Sequence, residues 1–302
     1  MKEFGFSNEL ISAYKLAISQ YRNNHNVFLI DIGNKHENYV RKEELCVRIH
    51  ADSVITINPE YSDFQLIYYP NFGEKRSVVS KELARTQRAN LVLPGISLGT
   101  SVTGTLGLIC YDKLNGLNKC LLTAAHVIPG EIGSPVTQPG GGLDRGRIRN
   151  DTIGNILRFD PGGDAAIASF NKWRNEPDLK QFGTKNTIKN LGKVQIGDIL
   201  TKSGRTSGVT KALVDGIGVY FLRTSYSVKV IKGFKLVPLN GQNSKIEEIS
   251  DKGDSGSIWF DPSKNAGIGL LIAGANSTKK YHLNFSFAQH LEDIFLTLKI
   301  SI

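Results

Sequence analysis

The 302-residue sequence predicts a mostly β fold, preceded by a small α+β unit and closed by a carboxy-terminal helix. From about residue 94 onward, short apolar runs alternate with turns rich in Gly, Asn, Asp and Lys, which is typical of a β-barrel or β-sandwich. Upstream of that point, apolar residues recur first at helical and then at strand spacing. The 31 glycines suit a fold with many turns.

The amino-terminal α+β unit is predicted to span residues 1–70. Residues 7–22 carry one apolar stripe at helical spacing, and Ser7 is placed to cap the start of this helix. Three strand-like runs follow, at residues 26–32, 44–51 and 63–70. The histidines of this unit are His25, His36 and His50. Because their spacing matches no metal-ligand pattern, we expect solvated or structural roles for them.

Residues 71–93 are rich in Lys, Arg, Ser and Asn and are predicted to form an exposed basic linker. The net charge of the chain is +9, and the excess of Lys and Arg is scattered over many loops downstream of residue 95. A nucleic-acid-binding module normally gathers such charge on one helix or interleaves it with aromatic residues. The scattered charge therefore favours acidic partners in general, and no nucleic acid is expected.

The carboxy-terminal helix is predicted over residues 285–300. Its apolar face consists of Phe287, Leu291, Ile294, Phe295 and Leu298. The cysteines of the chain, Cys46, Cys110 and Cys120, are too few for a disulfide framework. A tight turn at Asn115–Gly116 would place Cys110 and Cys120 slightly out of register, so buried thiols are expected.

Three segments carry side chains of the types that cooperate in nucleophilic catalysis. They are LLTAAHV at 121–127, GGDAAIASF at 162–170 and DKGDSGSIWF at 251–260, and they supply His126, Asp164 and Ser255 in that order. A serine hydroxyl needs a base to become a nucleophile at neutral pH, and the base needs an acid that fixes its tautomer. The sequence therefore predicts a His–Asp–Ser triad, with Asp160 in a Pro-Gly turn as the alternative acid.

The local sequence around each member fits this chemistry. Asp164 begins an apolar strand, where a carboxylate would be buried unless His126 binds it. Gly253 has no Cβ, so its N–H can point, together with that of Ser255, at a developing oxyanion. Gly256 allows the chain to pass closely beneath the nucleophile.

The segments TAAH, DAAI and GDSG resemble those of the chymotrypsin (trypsin-like) serine protease superfamily, which shares the chain order His, Asp, Ser. The string LTKSGRTSGVTKALV at 200–214 is similar to the second-barrel hairpin of bacterial members. The resemblance implies two six-stranded antiparallel β-barrels within residues 94–302, at about 94–185 and 186–302. As a whole, the chain is similar to intracellular bacterial trypsin-like peptidases with an amino-terminal extension.

The resemblance also implies a serine endopeptidase that works through an acyl-enzyme. The implied roles are general base for His126, orienting acid for Asp164, nucleophile for Ser255, and oxyanion hole for Gly253 and Ser255. Lys202 is expected to neutralise Asp254 beside the nucleophile, with Arg205 as the fallback donor.

The residues expected at the substrate pocket are Ile249, Ala273, Gly274 and Asn276. Ile249 stands six positions before the nucleophile, where an acid would be needed to select Arg or Lys. A small or medium apolar P1 residue is therefore expected. Ile272 replaces the serine that usually supports the catalytic acid, so Asp164 is expected to accept fewer hydrogen bonds.

A protein or peptide substrate follows from this resemblance, including a single dedicated protein such as a defence effector. No cofactor is expected, because the sequence has no nucleotide-binding fingerprint and no metal-ligand cluster. No apolar run of about 18 residues and no secretory signal occurs, so no membrane association is expected. Secreted relatives usually carry disulfides near the catalytic residues, and their absence here favours a bacterial cytoplasm.

Two alternatives stay open at this stage. The first is a protease-fold binding module whose intact site is held latent until a regulatory partner releases it. The second, ranked lower, is a basic nucleic-acid-binding protein, for which the net charge is the only evidence.

Overall fold

The computed structural model describes residues 1–37, 40–57, 64–69, 82–171, 178–224, 227–239, 248–275 and 284–302. The α-helices of that part of the chain are α1 (Asn8–Tyr21), α2 (Ile148–Asp151) and α3 (Leu291–Leu298). Its strands are β1 (Val27–Glu37), β2 (Val40–Ala51), β3 (Phe64–Tyr68), β4 (Ser97–Gly99), β5 (Thr103–Thr105), β6 (Leu108–Asp112), β7 (Asn118–Ala124), β8 (Pro135–Thr137), β9 (Thr152–Phe159), β10 (Ala165–Ser169), β11 (Asn190–Leu191), β12 (Ile199–Gly204), β13 (Gly208–Arg223), β14 (Val228–Val237), β15 (Ile258–Asp261), β16 (Ala266–Ala275), β17 (Phe285–His290) and β18 (Ile300–Ser301).

The second half of the chain forms a closed antiparallel barrel. Its strand order is β12-β15-β16-β17-β14-β13, and β13 pairs again with β12 to close the ring. Trp259, Phe234 and Ile249 are among the side chains that fill its interior. β13 is 16 residues long: its first part pairs with β12, and its outer part extends beyond the barrel and pairs with β1.

The first barrel is built from the strands between β4 and β10. Its order is β6-β7-β10-β9-β8-β4-β5. β5 and β6 are separated only by Leu106 and Gly107, whose N–H groups donate to Ile96 O and Leu122 O at 2.9 Å each. β5 and β6 therefore act as one bent strand, and the path closes into a barrel of six strands. The predicted mostly β, two-barrel architecture is confirmed.

The amino-terminal unit extends the sheet of the second barrel. β1 pairs antiparallel with β13 and with β2, and β3 lies parallel to β2. The predicted helix is confirmed as α1, which Ser7 caps by accepting a hydrogen bond from Leu10 N (3.2 Å). Its buried residues Ile11, Tyr14, Ala17 and Tyr21 lie on one face of the helix.

Buried charges fasten this unit to the second barrel. Arg48 Nε donates to Asp31 Oδ1 (2.7 Å), and Arg48 Nη1 donates to Asp215 Oδ2 (2.6 Å) on β13. All three side chains are completely buried. His36 and His50 join this network and are buried, which agrees with the structural role expected for them. A buried pair of this kind is costly to break, because it leaves an uncompensated charge.

Within the part of the predicted linker that the structure describes, residues 82–93, Arg85 differs from the expected exposure. The Arg85 guanidinium is completely buried; it donates to Ser203 Oγ (2.8 Å) and Phe182 O (3.1 Å) and lies 4.5 Å from the Phe182 ring centre. Arg85 thereby satisfies polar groups of the second half of the chain and anchors this segment there, while Gln87, Arg88 and Leu91 are exposed. The rest of the predicted linker, residues 71–81, lies outside the described residues.

The predicted carboxy-terminal helix is only half correct. Residues 285–290 form β17, which lies between β14 and β16, and the helix α3 begins at Leu291. Five of the six residues of β17 are buried. A strand buried on both faces has no polar alternation, so its apolar run looks like part of the helix that follows it. After α3 the chain returns to the first barrel, where β18 pairs with β6.

The cysteine register also differs from expectation. Cys110 and Cys120 face one another directly, with their Sγ atoms 3.3 Å apart, and both are buried free thiols as expected. The left-handed residues of the turn are Gly116 and Leu117, with φ of 64° and 60°. Asp112 pairs with Asn118, so the loop has five residues, 113–117, and not the two expected at Asn115–Gly116; this longer loop brings the two thiols into register.

Candidate active site

His126 lies where strand β7 ends. The strand stops at Ala124, and Ala125–Val127 form a single 3₁₀ turn that carries the imidazole outward. Ala125 N donates to Asp164 O (2.9 Å), which ties this turn to the start of β10. The His126 side chain keeps 41% of its surface exposed, so the ring is accessible to a ligand.

Asp164 binds His126 with both carboxylate oxygens. Oδ2 lies 2.5 Å from His126 Nδ1, and Oδ1 accepts a hydrogen bond from the His126 backbone N–H (3.0 Å). The carboxylate is 4% exposed. This arrangement fixes the ring and places the proton on Nδ1, so Nε2 is the nitrogen left to accept a proton.

Asp164 is held through its backbone by a residue of the second barrel. Gln289 Oε1 accepts from Asp164 N (2.9 Å), and Gln289 Nε2 donates to Asp160 Oδ2 (2.6 Å). Asp160 is 3% exposed, so the solvation expected for this alternative acid is wrong; its carboxylate also accepts from Gly162 N (3.0 Å). In the described chain Asp160 makes no hydrogen bond to His126. Gln289 belongs to no recognised motif, so the sequence does not predict that it lies next to Asp160 and Asp164.

The Asp164 carboxylate changes the pKa of the His126 imidazole. Burial lowers the pKa of His126, but the hydrogen bond and the charge of Asp164 outweigh it, so the pKa is raised above its ordinary value of 6.5. Tyr220, on the outer part of β13, stacks on Phe287 with ring centres 5.5 Å apart. Burial and, secondarily, the charge of Asp164 raise the pKa of Tyr220 to about 12. The phenol therefore stays neutral near the acid.

Ser255 lies in a tight turn between the two barrels. Gly256 N donates to Leu271 O (2.8 Å) on β16, while Ser255 O accepts from Thr105 N (2.8 Å) on β5. A Cβ on Gly256, whose φ is +94°, would collide with the Thr123 hydroxyl. The expected reason for glycine at this position, a close passage of the chain, agrees with this geometry.

The turn carrying Ser255 lies next to the segment carrying His126. Gly104 separates them: a Cβ there would clash with the Val127 side chain and lie 2.8 Å from Ser255 O. Within the described residues, the Ser255 hydroxyl makes no hydrogen bond to His126. Catalytic hydrogen bonds of this kind are often long without substrate and shorten in the complex.

Gly253 and Ser255 present two free backbone donors. Within the described part of the chain, neither of their N–H groups has an acceptor, while Gly253 O accepts from Thr105 Oγ1 (2.7 Å). Gly253 has a φ of +93°, and a Cβ there would lie 2.5 Å from Thr206 Oγ1. Two adjacent free donors next to a serine are what an oxyanion hole requires.

Asp254 is buried beneath this turn and is neutralised by Lys202. Lys202 Nζ donates to Asp254 Oδ2 (3.1 Å) and to Ser207 Oγ (2.6 Å), and the Lys202 and Asp254 side chains are completely buried. The Asp254 carboxylate also accepts from Thr206 N (2.7 Å) and Asp251 N (3.0 Å). Burial alone would raise the pKa of Asp254, but the Lys202 charge and these donors hold it below 3.8. This is the pairing that the sequence analysis expected.

Arg205, the expected fallback donor, binds a different acid. Its Nε donates to Asp144 Oδ2 (2.9 Å) and its Nη2 to Asp144 Oδ1, a bidentate pair that connects the two barrels. Its backbone N donates to Thr105 Oγ1 (2.9 Å). No sequence pattern marks Asp144 as this partner, because the contact joins residues 61 positions apart.

The expected pocket residues are only partly accessible. Ile249 is 1% exposed and packs in the second-barrel core, Ala273 is half-buried, and Gly274 is exposed on β16. Asn276 lies outside the described residues. Ser250, beside Ile249, was not singled out in the sequence; a Cβ on Gly274 would lie 3.1 Å from its Oγ.

No helix in the described ranges is long and apolar enough to cross a bilayer. Across those same ranges, no group of three or more His, Cys, Asp or Glu side chains is arranged to hold a metal ion.

No family model and no curated protein matches the sequence. Solved structures share the architecture, and three of them serve as examples. A Nocardiopsis protease is 16% identical, with 70% of this chain and 97% of that chain covered at a TM-score of 0.50. Protease A of Thermobifida fusca is 14% identical; the match covers 70% of this chain and 97% of that chain, with a TM-score of 0.51. A glutamic acid-specific serine protease that uses a histidine triad in substrate binding is 15% identical; the match covers 70% of this chain and 100% of that chain, with a TM-score of 0.51. At these identities the likeness is one of fold.

Proposed function

We propose that this chain, which has the two-barrel fold of the chymotrypsin-like serine proteases, is a serine endopeptidase that works through an acyl-enzyme. One observation carries the proposal: the buried Asp164 carboxylate gives both of its oxygens to His126, at 2.5 and 3.0 Å. A carboxylate used in this way orients the imidazole and stabilises its protonated form, which is what a general base for serine requires.

In the proposed reaction Ser255 Oγ attacks the carbonyl carbon of a peptide bond. His126 Nε2 takes the hydroxyl proton, and the N–H groups of Gly253 and Ser255 donate to the oxygen that becomes negative. The same proton then passes to the leaving amine as the C–N bond breaks. Water, deprotonated by His126, attacks the resulting ester, and Ser255 leaves with its proton restored.

The substrate is proposed to be a protein or peptide with a small or medium apolar P1 residue. Gly274 and the half-buried Ala273 on β16 support this preference, because neither side chain carries charge. We also propose that the site is formed without a partner. The Lys202–Asp254 pair that underlies the nucleophile turn lies within the chain itself, which supports a constitutive site over the latent alternative.

The test is labelling by a fluorophosphonate probe, followed by peptide hydrolysis. The purified chain is expected to label promptly at Ser255, and Ser255→Ala is expected to lose the label and about 10⁶ in kcat. Ser257→Ala, two residues away, serves as the matched control and keeps both activities. Peptidase activity that persists in Ser255→Ala would refute the proposal, and labelling only after a partner is added would favour the latent module.

A further inference from the structure

We infer that an exposed loop rich in arginine binds acidic residues on the leaving-group side of the substrate, downstream of the scissile bond. The arginine loop is residues 139–151 of the first barrel, which include Arg145, Arg147 and Arg149. This inference rests on the proposed function, because it assigns a substrate class to the same active site.

One ion pair connects the arginine loop to the turn that carries Gly253 and Ser255. Asp144 of the loop binds Arg205 in bidentate fashion, and both side chains are almost completely buried. The Arg205 side chain also packs against the turn that carries Gly253 and Ser255, since a Cβ on Gly253 would lie 3.1 Å from Arg205 Cδ. Arg145 is the next residue along the chain and is exposed. The first arginine therefore emerges close to the reacting carbonyl.

The loop lies on the side of Ser255 from which the leaving amine departs. Ser255 is flanked by β16, where the acyl half of the substrate is proposed to bind, and by β5. The arginine loop packs against the β5 side: Leu143 N donates to Thr103 Oγ1 (2.8 Å), and Gly140 N donates to Ser97 Oγ (2.9 Å). A peptide leaving the nucleophile over β5 therefore meets the loop within its first few residues.

The loop holds its arginines in a fixed position. A Cβ on Gly141 would collide with Thr100 O, and one on Gly146 with Pro139 O, so the loop backbone is packed against neighbouring carbonyls. Arg145 has a left-handed backbone, with φ of +58°, which costs a non-glycine residue on the order of 1 kcal/mol. A backbone so constrained loses little entropy when the loop binds a ligand, and the ordering cost is confined to the exposed arginine side chains.

The charge of the arginines is not compensated nearby. Arg145, Arg147 and Arg149 are exposed, and within the described residues none of them has an ion-pair partner. The acids of the loop are already engaged: Asp144 binds Arg205, and Asp151 lies 3.6 Å from Arg88 Nε. Arginine binds carboxylates through two parallel hydrogen bonds, so a cluster of free arginines favours an acidic segment of a protein.

Peptide hydrolysis tests this inference at the active site. Two internally quenched peptides share one apolar acyl half and differ only in carrying three Glu or three Gln residues in the leaving half. The parent protein is expected to cleave the Glu peptide with about tenfold higher kcat/KM at low salt, since three exposed ion pairs sum to roughly that factor. The preference should disappear near 1 M salt, where charges are screened beyond about 3 Å.

The triple variant R145E/R147E/R149E is expected to lose or reverse the preference, measured as the ratio of kcat/KM for the Glu peptide to kcat/KM for the Gln peptide. Its matched control is K113E/K185E/K189E, which makes the same change in charge at other exposed positions and should keep the preference. Urea unfolding of both variants checks that they are folded. Equal hydrolysis of the two peptides by the parent, or a preference that survives in the arginine variant, would overturn the inference.

A binding measurement separates this inference from the proposed function. Fluorescence anisotropy of the labelled Glu peptide with Ser255→Ala protein needs no turnover, and the arginine substitutions should weaken binding about tenfold. If neither peptide is hydrolysed, the proposed function fails while the binding surface is still tested. Binding that is equal with and without the arginines would overturn the surface. Tighter arginine-dependent binding of a single-stranded DNA 20-mer would overturn the acidic-protein assignment in favour of nucleic acid.

Discussion

Replacing Lys202 by methionine removes the positive charge that holds Asp254 beneath the turn that carries Ser255. Methionine keeps most of the volume of the lysine side chain and its contact with neighbouring apolar groups. What is lost is the ammonium group, which donates to Asp254 Oδ2 (3.1 Å) and to Ser207 Oγ (2.6 Å). Because both members of the pair are completely buried, water cannot replace the missing charge.

The expected cost is about 3 kcal/mol of unfolding free energy, at the low end of the range for a broken buried pair. The low end applies because Asp254 keeps other donors, including Thr206 N (2.7 Å) and Asp251 N (3.0 Å). With a urea m-value of about 3 kcal/mol/M, the unfolding midpoint should fall by roughly 1 M. The difference should be full at pH 7. It should narrow as the pH falls below 3.8, where the parent loses the contribution of a carboxylate whose pKa is lowered.

The same substitution should slow fluorophosphonate labelling of Ser255 by about 10², because the turn that aims the Gly253 N–H loses its anchor. K202M/D254N removes both charges and should recover part of the lost stability. The matched control is Lys211→Met, at an exposed lysine opposite Thr201 on the neighbouring strand. If K202M unfolds at the parental urea midpoint and labels at the parental rate, the assignment of Lys202 as the anchor is wrong.

Three further predictions follow from the site. Gly253→Ala should lower kcat by about 10²–10³ with KM little changed, because a Cβ there meets a hydroxyl at 2.5 Å and turns away an oxyanion donor; steady-state kinetics on a peptide substrate measure both. Gln289→Leu should lower the unfolding free energy by about 2 kcal/mol in urea, since it leaves the buried Asp160 and Asp164 N without their partner, and parental stability would contradict this. Activity should rise with pH along a limb centred above 6.5, because the pKa of His126 is raised and the base must be neutral; in Asp164→Asn the limb should move to lower pH.

Local sequence was sufficient for the features that depend on near neighbours. Helix α1 followed from one apolar stripe and a capping serine, and it begins within a residue of the predicted start. The need for glycine at 253 and 256 is also predictable from the sequence, because both residues lie within two positions of Ser255; the structure adds that both have positive φ. The placement of Lys202 against Asp254 came from the family resemblance, since spacing alone does not relate residues 52 positions apart.

Features that depend on distant contacts could not be predicted from the sequence. The sequence of β17 predicts helix, because this strand is buried on both faces of a closed barrel and lacks the polar alternation of a half-buried strand. The sequence predicts an exposed Arg85, because a charged residue in a polar stretch is usually exposed, whereas here Ser203 and the Phe182 carbonyl accept its hydrogen bonds. Such partners become visible only when the tertiary structure brings them together.

The hydrogen bond from the Asp164 backbone to Gln289 is another distant contact that only the structure reveals. With Ile272 in place of a serine, the Asp164 carboxylate accepts hydrogen bonds only from His126 in the described chain, so nothing else fixes its side chain. Its orientation must then come from its backbone, which Gln289 holds at 2.9 Å from β17 of the second barrel. Because His126 and Asp164 belong to the first barrel, the alignment of the base depends on a contact between barrels. Any movement of one barrel against the other therefore disturbs His126, the proposed general base, as well as Ser255, the proposed nucleophile.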